Sequence, residues 1–321
     1  MDPLSDVLRV LRLSGAYFYA IEASGPWRVE TVAATELCPR VLPDAEHLIS
    51  YHILTRGRCW AGVAGEEPVE MLPGDVIVFL QGDAHVMGSA PSPTRGTAAY
   101  GPSAARYPET VRLGDGGPPE TTLVCGFLGC DRRPFNPLLA TLPRCLHMRG
   151  LSQGWLGLFA RQVVEESRAE RAGAQLVLTR LAELMFIEVL RRYLEGLPPE
   201  QTGWLAGLRD PMVGQALALL HARPGHPWTL AELAREVAGS RSWLAERFTY
   251  LLGYPPMQYL TQWRMQVAAN LLSQSGAKVA AVAAEVGYES EAAFSRAFKK
   301  ASGLSPGGWR TRRKGTASAS H

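Results

Sequence analysis

Two stretches of this chain repeat one another about fifty residues apart, and that repeat limits the fold more than any other feature. Laying Leu233–Gly253 over Val282–Gly303 matches Leu233-Ala234 with Val282-Ala283 and Glu236-Val237 with Glu285-Val286. Leu244 and Phe248 fall on Phe294 and Phe298, and Gly253 falls on Gly303, with Glu289 as one inserted residue in the turn. Each copy reads as a helix, a tight turn and a second helix. Ser240 and Ser290 stand where a side-chain oxygen would accept a backbone N–H at the start of that second helix. The first helix buries Leu or Val with Ala against inward Leu/Phe and Phe, which leaves the opposite face of the second helix free.

A capped helix-turn-helix with a free second-helix face is a shape that enters a DNA major groove. A single copy would be weak evidence, because any helical hairpin has similar apolar spacing. Two copies with matched caps and closing glycines are much stronger. Between them, Met257–Ser273 reads as a helix roughly 25 Å long, with Leu260, Val267, Ala268 and Leu271 along one side. Such a rod would let one chain address successive major grooves, about 34 Å apart. Charge agrees: from Pro211 to His321 there are 13 Lys/Arg against 6 Asp/Glu, while the remaining residues carry a net negative charge. Thr229-Leu-Ala-Glu232 reads as a capping box before the first copy.

The stretches "LAREVAGSRSWLAERF", "PMQYLTQWRMQVAANLL" and "VAAEVGYESEAAFSRAFKKASGLSP", with Trp309-Arg310, resemble the DNA-binding domain of the AraC/XylS family of bacterial transcription regulators. The resemblance implies groove-facing positions at Arg241, Ser242, Ala245 and Glu246 on the first recognition helix. On the second it implies Glu291, Ala292, Ser295 and Arg296. Arg296 can take guanine O6/N7 with a bidentate fork or anchor a phosphate, and Arg241 suits a phosphate. Glu246 occupies the position matched by Arg296; a carboxylate there accepts from cytosine N4, or pairs with a neighbouring Arg on the surface. Gly239 stands where the family has an apolar residue before the capping Ser, which predicts a looser first unit.

Residues 1–135 read as β-rich: "HLISYHIL", "CWAGV", "DVIVFL" and "TTLVCGFL" are short apolar runs divided by turn signals. Ser89–Pro119, rich in Pro, Gly, Ser and Ala, is expected to be a long loop. "GDVIVFLQGDAH" resembles the second cupin motif, with Leu80 in place of its Pro and Ser89 in place of its Asn. The expected architecture is therefore an all-β, cupin-like jelly roll over 1–135, a helical linker over 136–208 and an all-α double helix-turn-helix over 209–310. A basic tail, 311–321, follows. In the linker Leu178, Leu181, Met185, Val189 and Tyr193 form an apolar stripe that packs on its own domain or forms a homodimer seam.

The resemblance as a whole implies a one-component regulator with a cupin sensor. His52, His85 and Cys125 lie in three predicted strands, and two imidazoles with a thiolate would suit Zn²⁺. The same residues also read as satisfied core histidines and a buried small hydrophobe. An organic effector in the barrel, or thiol oxidation, are the other signals that fit. The competing class is a cupin-type metalloenzyme, but its first motif is not recognisable, and there is no nucleophile elbow, phosphate loop or HExxH. The expected partners are double-stranded DNA, an effector and, for an activator, RNA polymerase. Five cysteines without CxxC spacing, no signal peptide and no apolar run long enough to span a bilayer point to the cytoplasm.

Overall fold

The computed structural model describes residues 2–11, 13, 16–43, 45–91, 97–100, 109–131, 134–150, 155–169, 171–198, 200–274 and 276–311. Its residues gather into two units. The helical unit comprises residues 1–12, 132–141 and 196–321, and the β unit comprises 13–131 and 142–195.

The chain opens with helix α1 (Pro3–Leu11), whose start is held by Asp2: its carboxylate accepts from the Ser5 N–H and hydroxyl. In the β unit follow β1 (Ala16–Ser24), β2 (Arg28–Thr31), α2 (Ala34–Val41), β3 (His47–Arg56), β4 (Cys59–Val63), β5 (Val69–Met71), β6 (Val76–Phe79) and β7 (His85–Gly88). Next come β8 (Thr97–Tyr100), β9 (Glu109–Gly114), β10 (Thr121–Cys130) and β11 (Cys145–Met148), then helices α3 (Trp155–Ala169) and α4 (Ala174–Glu195). One sheet runs β11-β6-β3-β10-β1-β9 and the other β5-β4-β7-β2-β8. Their facing sides bury one apolar cluster that includes Tyr19, Leu48, Leu54, Ile77, Phe79, Leu123, Cys125 and Phe127. This is the expected two-sheet cupin architecture.

Two expectations need adjustment here, and a third narrows to one of its two alternatives. Ser89–Pro119 is not simply a loop, because it contributes β8 and β9, which pair in parallel at the edges beside β2 and β1. Edge strands need little apolar sequence, so composition hid them. The linear boundaries also differ from the contact-defined ones: β11, α3 and α4 belong with the barrel, while α1 and residues 132–141 belong with the helical unit. Finally, the stripe of Leu178, Met185 and Val189 is buried as α4 packs on β1, so that face covers its own sheet.

Leu80 shows why the cupin pattern departs from its usual Pro. The Leu80 N–H donates to the Arg144 carbonyl at 2.9 Å, a bond Pro cannot make.

The helical unit continues with α5 (Trp204–Arg209), α6 (Pro211–Ala222), α7 (Leu230–Glu236), α8 (Arg241–Leu252), α9 (Pro256–Gln274), α10 (Val279–Glu285) and α11 (Glu291–Ser302). The rod α9, 19 residues long, packs against α8 on one side and against α10 and α11 on the other. It is buried on more than one side. Tyr259 and Trp263 serve the first half, and Met265, Ala268, Ala269 and Leu272 serve the second.

Candidate nucleic-acid interface

Both recognition helices start as the repeat predicts. Ser240 Oγ accepts from the Trp243 N–H and Ser290 Oγ from the Ala293 N–H, each at 3.2 Å. Both end on a glycine in the left-handed conformation, Gly253 and Gly303, each at φ 78°. Leu244 and Phe248 bury α8 against its partner helix, and Phe294 and Phe298 do the same for α11. Thr229 caps α7 through the Glu232 N–H, and the Glu232 carboxylate accepts in return from the Thr229 backbone N–H while also meeting His226 Nε2 at 2.9 Å, so the capping box closes.

The eight expected reading positions lie together on these two helices. Arg241, Ser242 and Glu246 are exposed on α8, with Ala245 half-buried; Glu291, Ala292 and Arg296 are exposed on α11, with Ser295 half-buried. Among the described residues neither Arg296 nor Glu246 forms a hydrogen bond or ion pair. The neighbouring Arg247 is already engaged, its Nε donating to Asp210 Oδ2 at 2.8 Å. Asp210 also caps α6, accepting from the Met212 and Val213 N–H groups, so this pair ties α8 to α6.

The two turns reach one shape by different means. Gly287 adopts φ 80° and is followed by Tyr288, whose ring packs edge-on to Phe294. In the first turn Ala238 takes the left-handed conformation at φ 53°, and at Gly239 the Met212 side chain fills the space a side chain would occupy. Met212 therefore stands in for the missing apolar residue. A second contact joins the two halves: a Cβ on Gly287 would lie 2.5 Å from the Gly225 carbonyl oxygen. Arg264 of α9 braces the same loop, donating to the Pro224 and His226 carbonyls at 2.6 and 2.7 Å. The relative setting of the two recognition helices thus rests on the rod and on this bare backbone approach.

A buried polar hub lies beneath the first half. The Tyr259 hydroxyl is 2.8 Å from both Trp204 Nε1, which donates to it, and His221 Nε2. Tyr259 then donates to His221, which leaves the remaining proton of a neutral ring on Nδ1. His221 stacks on Trp263 at 3.9 Å between centroids. Burial pushes its pKa down from 6.5 to about 3, and also raises that of Tyr259. Phe135, from the 132–141 segment, lies edge-on to Tyr259 and Tyr254, and its N–H donates to Gln266 Oε1 at 2.9 Å. None of these hub contacts was legible locally, since each joins residues far apart in sequence.

Comparison with known proteins agrees with this geometry. A cupin family model matches residues 2–195, and a helix-turn-helix domain model matches residues 233–312. A protein of Streptomyces antibioticus named as an AraC-like transcription regulator is 35% identical over 316 residues, covering 97% of this chain and 98% of that protein. The chain belongs to the AraC-like family of transcription regulators. It is a DNA-binding regulator with a cupin N-terminal domain. The transcriptional regulator AlkR of Acinetobacter baylyi is 26% identical over 95% of this chain and 98% of that one. Among solved structures, the DNA-binding domain of AdpA in complex with a target DNA is 28% identical over 33% of this chain and 95% of that chain, with a TM-score of 0.32. No helix among the described residues is long and apolar enough to cross a membrane.

In this AraC-like regulator the barrel brings two of the three expected metal ligands together. His52 on β3 and His85 on β7 face one another, with Nε2 atoms 2.9 Å apart. His85 Nδ1 lies 3.3 Å from the Asp83 carbonyl, and His52 Nδ1 is buried with no hydrogen-bond partner among the described residues. With His85 Nδ1–H turned to that carbonyl, His52 Nε2 must donate to His85 Nε2. Burial lowers both basicities, that of His85 to about 4, so both rings are neutral at pH 7.

Cys125 sits opposite His52 in the β3–β10 register, but its thiol is bonded to the Tyr19 side chain and burial pushes its pKa well up. Among the described residues no three His, Cys, Asp or Glu side chains gather in a way that could hold a metal ion. The expected His52–His85–Cys125 set is therefore not assembled. Zn²⁺ needs at least three protein ligands, and here two facing nitrogens are already satisfied by one hydrogen bond. The residues present do not fit it.

Proposed function

We propose that this regulator reads a two-part operator, with the α8 face of Arg241, Ser242, Ala245 and Glu246 on one half and the α11 face of Glu291, Ala292, Ser295 and Arg296 on the other. The observation that carries this is the pair of Ser-capped helices whose outward faces hold charged groups with no partner among the described residues. Unpaired surface charge costs nothing in water and is available to base edges and phosphates.

Footprinting of the full-length protein on DNA upstream of its own and neighbouring genes should protect about two helical turns per chain. Arg296→Ala should weaken operator binding by about 1–3 kcal/mol and reduce the salt slope by about one. Unchanged affinity at controlled salt would remove Arg296 from the interface.

For the signal, an organic effector that bonds the unpartnered His52 Nδ1 suits the barrel better than Zn²⁺ or an oxidant, since buried thiols of raised pKa react slowly. Purified protein that carries stoichiometric zinc would reverse that preference. Exposed Val177 and Leu184, two turns apart on α4, suit a homodimer seam. Leu184→Glu should then lower the mass seen by sedimentation. RNA polymerase is the further partner if the regulator activates.

A further inference from the structure

Trp243 is exposed by 44% and Tyr250 by 60%, two large aromatic rings on one short helix. Both lie on α8. At 3.6 residues per turn they fall within about 20° of each other and within roughly 60° of Glu246, the centre of the outward face. Leu244, Phe248 and Leu251 occupy the far side. The Trp243 backbone is committed to the Ser240 cap, while its side chain makes no ring or hydrogen-bond contact among the described residues. The Tyr250 ring has the Arg247 guanidinium 5.7 Å from its centroid, and Arg247 is anchored to Asp210. An exposed aromatic flank is thus held beside the expected reading face.

The repeat shows what this flank replaces. Trp243, Glu246, Thr249 and Tyr250 of α8 occupy the positions of Ala293, Arg296, Lys299 and Lys300 of α11. The second helix therefore presents three cations where the first presents a carboxylate, a hydroxyl and an aromatic ring. Cations bind phosphate by counterion release, with strong dependence on salt. At these matched positions the first helix lacks that means, with only Arg241 at its start left for a phosphate, and has instead two rings on a flank. A helix 10–12 Å across fills a major groove about 12 Å wide, so residues within 60° of its outward centre meet groove floor and wall. The apolar chemistry available there is the thymine C5-methyl group and the deoxyribose edge.

The geometry points to Trp243, supported by Tyr250, as an apolar DNA contact that gives the first helix-turn-helix unit a preference for thymine largely independent of salt. The inference rests on α8 entering a major groove.

The test uses the full-length protein on its footprinted operator, with Arg296→Ala identifying which half-site α11 covers. Trp243→Ala should lose about tenfold or more in affinity, with lost protection on the other half-site and an unchanged salt slope. Tyr250→Ala should lose less on the same half-site, and Trp243→Phe should retain part of the binding. Replacing single thymines by uracil in that half-site, which removes only the methyl, should weaken the wild type at one position and leave Trp243→Ala indifferent there. Wild-type affinity for Trp243→Ala, alongside the expected loss for Arg296→Ala, would overturn the inference and leave the regulator reading intact. Failure of the wild type to bind any operator would instead remove the reading on which it rests.

Discussion

His221 makes the helical unit sensitive to acid in a way that can be worked out in advance. Its ring is buried among Trp204, Tyr259 and Trp263, and its pKa falls from 6.5 to about 3 on folding. Below pH 6.5 the unfolded chain binds a proton at this position while the folded chain does not, so stability falls as pH falls. The loss is fully developed only near the folded pKa. Each pH unit in that window is worth about 1.4 kcal/mol, which gives roughly 2 kcal/mol lost at pH 5 and roughly 3 at pH 4. Replacement by Gln keeps a group that can accept from the Tyr259 hydroxyl but cannot titrate here. Urea unfolding of the full chain, followed at 222 nm from pH 4 to 7.5, should show a steeper decline for the wild type than for His221→Gln. His52 and His85 act in the same direction but are present in both proteins, so the difference isolates His221. Parallel pH profiles would refute the reasoning, whatever the absolute cost of the substitution.

Other outcomes follow from backbone positions. Gly287→Ala would drive a Cβ against the Gly225 carbonyl in a left-handed residue, and should cost about 2 kcal/mol or more by thermal unfolding. It should also relax the operator's tolerance to half-site spacing, read by mobility shift on duplexes with inserted base pairs. Ala238→Gly should stabilise by up to about 1 kcal/mol, because φ 53° strains an L side chain; an unchanged or lower Tm would contradict this. Leu80→Pro removes the donor to the Arg144 carbonyl, so it should destabilise the barrel by about 1 kcal/mol in the same unfolding assay.

The double helix-turn-helix was legible because its signals are local. A Ser cap, apolar residues at i and i+4, and a closing Gly each act within one or two turns, so Ser240, Phe248 and Gly253 announce themselves without the rest of the chain. The reading positions followed from the same helical period. In the barrel, β3, β4, β6 and β10 were equally plain, and alternation put His52 and Cys125 on one face. Strand parity does not say where a thiol ends up, and Cys125 turns to Tyr19 instead of joining the histidine pair. The edge strands β8 and β9 escaped because pairing at an edge is made by backbone and needs no distinctive side chains.

Only tertiary structure decided how these parts are braced. That Met212 fills the space at Gly239, that Gly225 lies against Gly287, and that Phe135 packs on Tyr259 all depend on segments distant in sequence meeting at van der Waals range. Sequence fixes what each segment can do by itself through hydrogen-bond geometry and apolar period. Which segments then meet is settled by packing, where shape complementarity over the whole unit selects one arrangement among many that local patterns allow.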